Sequence, residues 1–176
     1  MRMIPLICCS LCVTLRPAEG MAMNTHHLSV VPAVAGAPRA VLVSRAHDRM
    51  KFWPELFGGF YAAAESSVYG WMSANCQGYE GGYWEYFSLN GGSGFAVPGF
   101  EGKKIVRIRG NQFCGEVSAE AAGILATVFV FDRFIWQTSE KPELEPLFKA
   151  LCERKVKLMD YAETTKEAGA IFRVLD

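Results

Sequence analysis

The chain has 176 residues, 51% of them hydrophobic, so a single domain can bury a core without disulfides or a metal to staple it. Its 18 lysines and arginines balance 18 aspartates and glutamates, giving a formal net charge of zero. That excludes long-range steering toward nucleic acid, and it equally excludes an acidic surface imitating the DNA backbone, which presents one charge about every 1.7 Å of axis.

The first segment, "MRMIPLICCSLCVTLRPAEGMAMN", has an early arginine, an apolar run from Met3 to Leu15, and small residues at Ala18 and Gly20. This pattern resembles a secretory signal. Three cysteines inside the run, and Met21 and Met23 just beyond it, favour instead an overlong start, and we place residues 1–23 outside the fold. The run is too short for a spanning helix, which needs ~20 apolar residues. Cys76, Cys114 and Cys152 are evenly spaced, but their surroundings share nothing, so they mark no repeat. They read as small buried hydrophobes in a reducing compartment, which points to the cytoplasm.

Residues 24–49 mix Pro, Ala and Val without helical periodicity and read as an irregular arm, strand-like at its end. The domain is expected over 50–176. Pro54 suits the first turn of a helix, and Phe60, Ala64, Val68 and Trp71 share one helical face, predicting a helix over 55–76 with Gly58-Gly59 as a break. Glycine-bounded segments then predict strands over 83–89, 94–97, 103–109 and 112–117, the last two joined by a tight Gly110-Asn111 turn. Short connections imply an antiparallel meander of these four strands. Ser118 is placed to cap a helix that is apolar nearly all round from Ala121 to Phe131, as befits a central core helix. Two further helices follow, one through Leu147, Leu151 and Leu158, and one opened by capping-box spacing from Thr164 to Glu167. The expected fold class is α+β: a four-stranded antiparallel meander preceded by one helix and followed by three, with helices on one sheet face.

Tests for chemistry mostly fail. "NGGSGFAVP" lacks the Lys-Ser/Thr of a phosphate loop and opens no helix, and Ser93 is followed two residues later by Phe95 where a nucleophile elbow needs glycine. The single C-x-x-C, Cys9 to Cys12, has no second pair, and His26 and His27 lie in the arm, so no metal site or cofactor is expected. Cys76 with His47 carries no sign of a thiolate pair, and Glu80, Glu85 and Glu116 read as exposed carboxylates. In "KKIVRIR", alternation puts Lys103, Ile105, Arg107 and Arg109 on one face and Lys104, Val106 and Ile108 on the other. Together with Tyr83, Trp84, Tyr86 and Phe87 this could make a basic aromatic platform for single-stranded bases, or the rings could pack into the core under covering arginine stems.

"YEGGYWEYFSLNGGSGFAVP", then "GEVSAEAAGILATVFVF", then the closing "EAGAIFRVLD" resemble, in that order, the ArdB/KlcA antirestriction family over about residues 50–176. The glycine spacing of "LNGGSGFAVP" and the leader depart from the family pattern. The resemblance implies a compact α+β inhibitor, carried by plasmids and other mobile elements, that relieves type I restriction of incoming DNA without catalysis or cofactor. The expected partner is the type I restriction-modification complex, met directly or through DNA, with the protein a monomer away from membranes. The candidate interaction surface is Tyr83, Trp84, Tyr86, Lys103, Arg107 and Arg109. The alternative reading is a nucleic-acid-binding module on the basic aromatic face, and a third is a hydrolase using Glu80, Glu85 or Cys76.

Overall fold

A computed structural model describes residues 38–176. The leader, its three cysteines, His26 and His27 lie outside the described residues. Within them the elements run β1 (Ala40–Leu42), α1 (Ala46–Phe57), a 3₁₀ turn (Gly58–Phe60), α2 (Tyr61–Asn75), β2 (Trp84–Leu89), β3 (Ser93–Pro98), β4 (Lys103–Ile108), β5 (Phe113–Ser118), α3 (Ala119–Thr138), α4 (Glu145–Thr164) and α5 (Ala168–Leu175).

The helix expected over 55–76 is two helices. The first starts at Ala46, earlier than the expected residue 55, and Pro54 lies in the helix body. Gly58 then takes φ +55°, which favours glycine, and its N–H donates to the Pro54 carbonyl, ending α1. Ala64, Val68 and Met72 of α2 are fully buried at four-residue spacing, with Phe60 and Trp71 partly buried beside them.

All four predicted strands form, and each hairpin is antiparallel, but they do not make one meander. β3 and β4 do not pair: one sheet is β1-β2-β3, the other β4-β5. The cause lies at the outer edge of β3, where α3 takes the place of a fourth strand. Gly123 lets the backbones touch, since a Cβ there would stand 2.1 Å from the Ala96 carbonyl oxygen, and the Thr127 hydroxyl accepts from Ala96 N–H at 3.4 Å. The outer edge of β4 instead meets the end of α2, through a Cys76–Val106 bridge and the Gln77 N–H donating to the Ile105 carbonyl at 2.8 Å.

Helices cover both faces of the larger sheet. Phe52 of α1 stacks on Tyr86 at 4.6 Å, and on the opposite face Phe95 stacks on Tyr161 of α4 at 5.2 Å. Ser118 caps α3 as predicted, accepting from Ala121 N–H at 3.2 Å, and the helix is buried on nearly every side, with Phe131 stacked on Phe57 at 4.8 Å.

Two local expectations are corrected. Thr164 is the last residue of α4, and its hydroxyl donates to the Tyr161 carbonyl rather than capping α5. The turn at Gly110-Asn111 is a four-residue loop, with Gln112 at φ +59° and Asn111 bound to the Phe113 N–H and the Val174 carbonyl.

Candidate functional site

Between α2 and β2 the chain runs through "QGYEGGY", whose three glycines, all at positive φ, suit neither a helix nor a strand. Its ends are fixed. At one, Lys104 Nζ donates to the Gly78 carbonyl at 2.7 Å and lies 5.4 Å from the Phe100 ring. At the other, the Gly99 N–H donates to the Tyr83 carbonyl at 2.7 Å, and Arg49 Nη2 donates to the Trp84 carbonyl at 2.9 Å.

Alternation decides which rings turn inward. Trp84 and Tyr86 are buried, at 5% and 8% exposure, while Tyr83 is 66% exposed. Trp84 and Tyr86 are therefore core residues rather than members of a free surface. The Trp84 indole donates to the Tyr79 hydroxyl at 2.8 Å, and Tyr69 packs on the indole with ring centroids 5.0 Å apart. Glu65 Oε1 accepts from the Tyr69 hydroxyl at 2.7 Å and the Tyr86 hydroxyl at 3.1 Å. Burial first, then the bonds to Tyr86 and Glu65, push the Tyr69 hydroxyl far above its ordinary range, so it stays a neutral donor. Burial also raises Tyr79, against the opposing hydrogen bond from Trp84.

Over this floor lies an open cleft of about 440 Å³, lined by Arg49, Tyr69, Tyr79, Gly81, Gly82 and Tyr83 among others. The Arg49 guanidinium lies 4.4 Å from the Tyr86 ring centre and 4.9 Å from that of Tyr83, so the cation bridges a buried ring and an exposed one.

The basic residues of the second sheet form a separate group. Lys103 and Arg107 are exposed on the outward face of β4, and Arg109 is exposed in the loop just past the strand. Lys103 pairs with Glu167 at 2.7 Å, and Glu116, opposite Ile105, brings a negative charge to the same face. The six predicted site residues thus fall into two groups, with Lys104 as the cation that touches both the smaller sheet and the glycine loop.

Arg49, Tyr69 and Glu65 were not singled out from the sequence. A signal existed for Arg49: it stands three and four residues before Phe52 and Trp53, at the margin of the apolar face of α1. The residues considered for hydrolysis are not assembled. Cys76 is buried and desolvation raises its thiol, outweighing the Lys104 charge; Glu80 and Glu85 are exposed. Ser93 is buried and donates to the Arg154 carbonyl at 2.7 Å. Among the described residues there is no metal-binding group of three or more His, Cys, Asp or Glu, and no helix long and apolar enough to cross a membrane.

Residues 77–176, from the glycine loop to the end, match a family model described as antirestriction protein. An antirestriction protein KlcA of Escherichia coli is 34% identical over 132 residues, spanning 73% of this chain and 88% of its own. The putative antirestriction protein YubI of Escherichia coli K12 is 33% identical over 132 residues, spanning 73% and 90%. A solved structure of the KlcA and ArdB proteins superposes with a TM-score of 0.68 at 34% identity, over 88% of this chain and 100% of its own. Those proteins are described as having a novel fold and antirestriction activity against type I DNA restriction systems in vivo but not in vitro.

Proposed function

Because the chain belongs to the KlcA/ArdB antirestriction family, we propose that it relieves type I restriction of incoming DNA as an inhibitor, with no catalytic step of its own. The observation that carries this is the extent of the family match, which begins at the cleft loop and takes in both hairpins and the central helix α3. The balanced charge supports a route other than imitation of the DNA backbone. The relatives' activity in vivo but not in vitro supports a target that exists only in the working cell, such as the restriction complex engaged on DNA. On this reading the protein acts as a monomer in the cytoplasm and protects mobile DNA on entry.

The exposed Arg107 and Arg109 favour a second reading, in which the outward face of β4 contacts DNA phosphates. The two are compatible, since an inhibitor of a DNA-bound complex can touch both.

The test is the plating efficiency of unmodified phage on a host with a type I system, with and without the expressed full chain. The expected result is recovery of plating toward the restriction-free level. Restriction at full strength, with the protein present and folded, refutes the proposal.

A further inference from the structure

The cleft between Arg49 and Tyr83 holds an unusual set of polar groups. Its cation has no carboxylate partner among the described residues, and one of its five N–H donors is bound, to the Trp84 carbonyl. The Gly81 and Gly82 amides make no hydrogen bond among the described residues, and a Cβ at either would meet nothing within 4 Å, so a ligand can reach that backbone. The Tyr79 hydroxyl accepts from Trp84, leaving its own proton to donate. Glu65 is not part of the lining, and its Oε1 is taken by two tyrosine hydroxyls. The cleft is thus rich in donors and carries a net positive group. Beside these donors stands a two-thirds-exposed ring, one side of it against Arg49.

A planar group with an attached anion matches both features. We propose that this cleft binds one unstacked nucleotide of single-stranded DNA, its base on the free face of Tyr83 and its phosphate on Arg49 and the Gly81–Gly82 amides. It rests on the antirestriction reading only for the identity of the strand as DNA. An exposed aromatic face accepts any base, so recognition is sequence-tolerant. A duplex keeps its bases stacked and presents closely spaced phosphates, which the exposed Glu80 and Glu85 on either side of Tyr83 disfavour. A partner protein's carboxylate could use the same donors but would leave the Tyr83 face unfilled, which makes the nucleotide the better match. The site lies away from the β4 strip and predicts a different dependence on salt. With one or two phosphates held, the logarithm of affinity falls against that of salt with a slope of about −0.7 to −1.4.

The experiment is fluorescence anisotropy of the full chain with a labelled short oligothymidylate and with a duplex of equal length. The single strand is expected to bind more tightly than the duplex. Tyr83→Ala removes an exposed ring and leaves the core intact, so it is expected to fold and to weaken single-strand binding by about 5- to 150-fold. Tyr83→Phe keeps the ring and should bind nearly as well as the unaltered chain. Equal affinity in Tyr83→Ala, preference for the duplex, or no single-strand binding each overturns the proposal. So does loss of co-purification with a restriction complex in Tyr83→Ala when the unaltered chain binds no oligonucleotide, which would assign the cleft to a protein contact. Phage plating separates the two readings. Protection without strand binding removes the cleft proposal alone, and strand binding through Tyr83 without protection removes the antirestriction reading alone.

Discussion

Replacing Gly123 by alanine tests the contact that divides the strands into two sheets. An alanine normally helps a helix by about 1 kcal/mol over glycine. Here its Cβ would lie 2.1 Å from the Ala96 carbonyl oxygen and 3.0 Å from the Ala96 carbonyl carbon and the Val97 Cα. Ordinary contact starts near 3.4 Å, so helix and strand must part by about 1 Å, and all of the obstructing atoms are backbone. That separation also breaks the bond from Ala96 N–H to Thr127, already long at 3.4 Å. Overpacking of this kind costs about 3 kcal/mol or more, leaving a net loss of about 2 kcal/mol after the helix gain. In urea this moves the midpoint down by about 1 M, and on heating it lowers Tm by about 4–8 °C. Gly70→Ala is the matched control: it is helical too, but its Cβ meets nothing within 4 Å, so it should gain up to about 1 kcal/mol. Urea titrations of both variants followed by tryptophan fluorescence decide the matter. If Gly123→Ala is as stable as the unaltered chain, or if both variants shift alike, the close approach of α3 to β3 is not what shapes the sheet.

Glu167→Gln should destabilise the fold by about 1–3 kcal/mol at neutral pH, because its carboxylate accepts from the Ser118 N–H at 3.1 Å and pairs with Lys103 at 2.7 Å. Burial alone would raise its pKa, but the bonds from Lys103 and Ser118 and the lysine charge outweigh that and hold it below the ordinary carboxylate value. Its contribution is therefore complete above the unfolded-state pKa and disappears as pH falls through the lower folded value, so the gap between the Glu167→Gln variant and the unaltered chain should close in acid. Chemical denaturation at pH 7 and at about pH 3 checks this, and a gap that persists undiminished in acid counts against the pairing. Ser118→Ala, which removes the α3 cap, should cost about 1 kcal/mol by the same urea measurement, and a loss below about 0.3 kcal/mol would show that the hydroxyl is dispensable.

What was legible in the sequence was local. Alternation and glycine punctuation located the four strands within a residue or two, and the apolar run after Ser118 identified both the cap and the central helix. How the strands assemble was not legible. The connection from Pro98 to Lys103 looks short enough for a hairpin, yet nothing local reveals that Gly123, far along the chain, will bring a helix backbone against Ala96. The Thr164–Glu167 spacing misled for a similar reason: Glu167 finds a lysine and a helix N-terminus from distant segments and leaves its local partner. Tyr83, Trp84 and Tyr86 read as one surface in the sequence, whereas the fold buries Trp84 and Tyr86 and leaves Tyr83 out, because which side of β2 faces water depends on α1, as does the entry of Arg49 into the site.

The glycine loop is held at both ends: Lys104 and Ile105 of the smaller sheet grip Gly78 and Gln77, while Gly99, just past β3 of the larger sheet, and Arg49 of α1 grip Tyr83 and Trp84. It works as a span between two fixed piers. Substitution at Glu80, mid-span and exposed, leaves both anchors alone, but adding or removing one residue would pull one sheet out of step with the other. Over evolutionary time the exposed position 80 can drift while Gly78, Gly81 and Gly82, whose positive φ angles disfavour other residues, persist and the length stays constant, and a comparison of many relatives should find gaps on either side of the segment and none within.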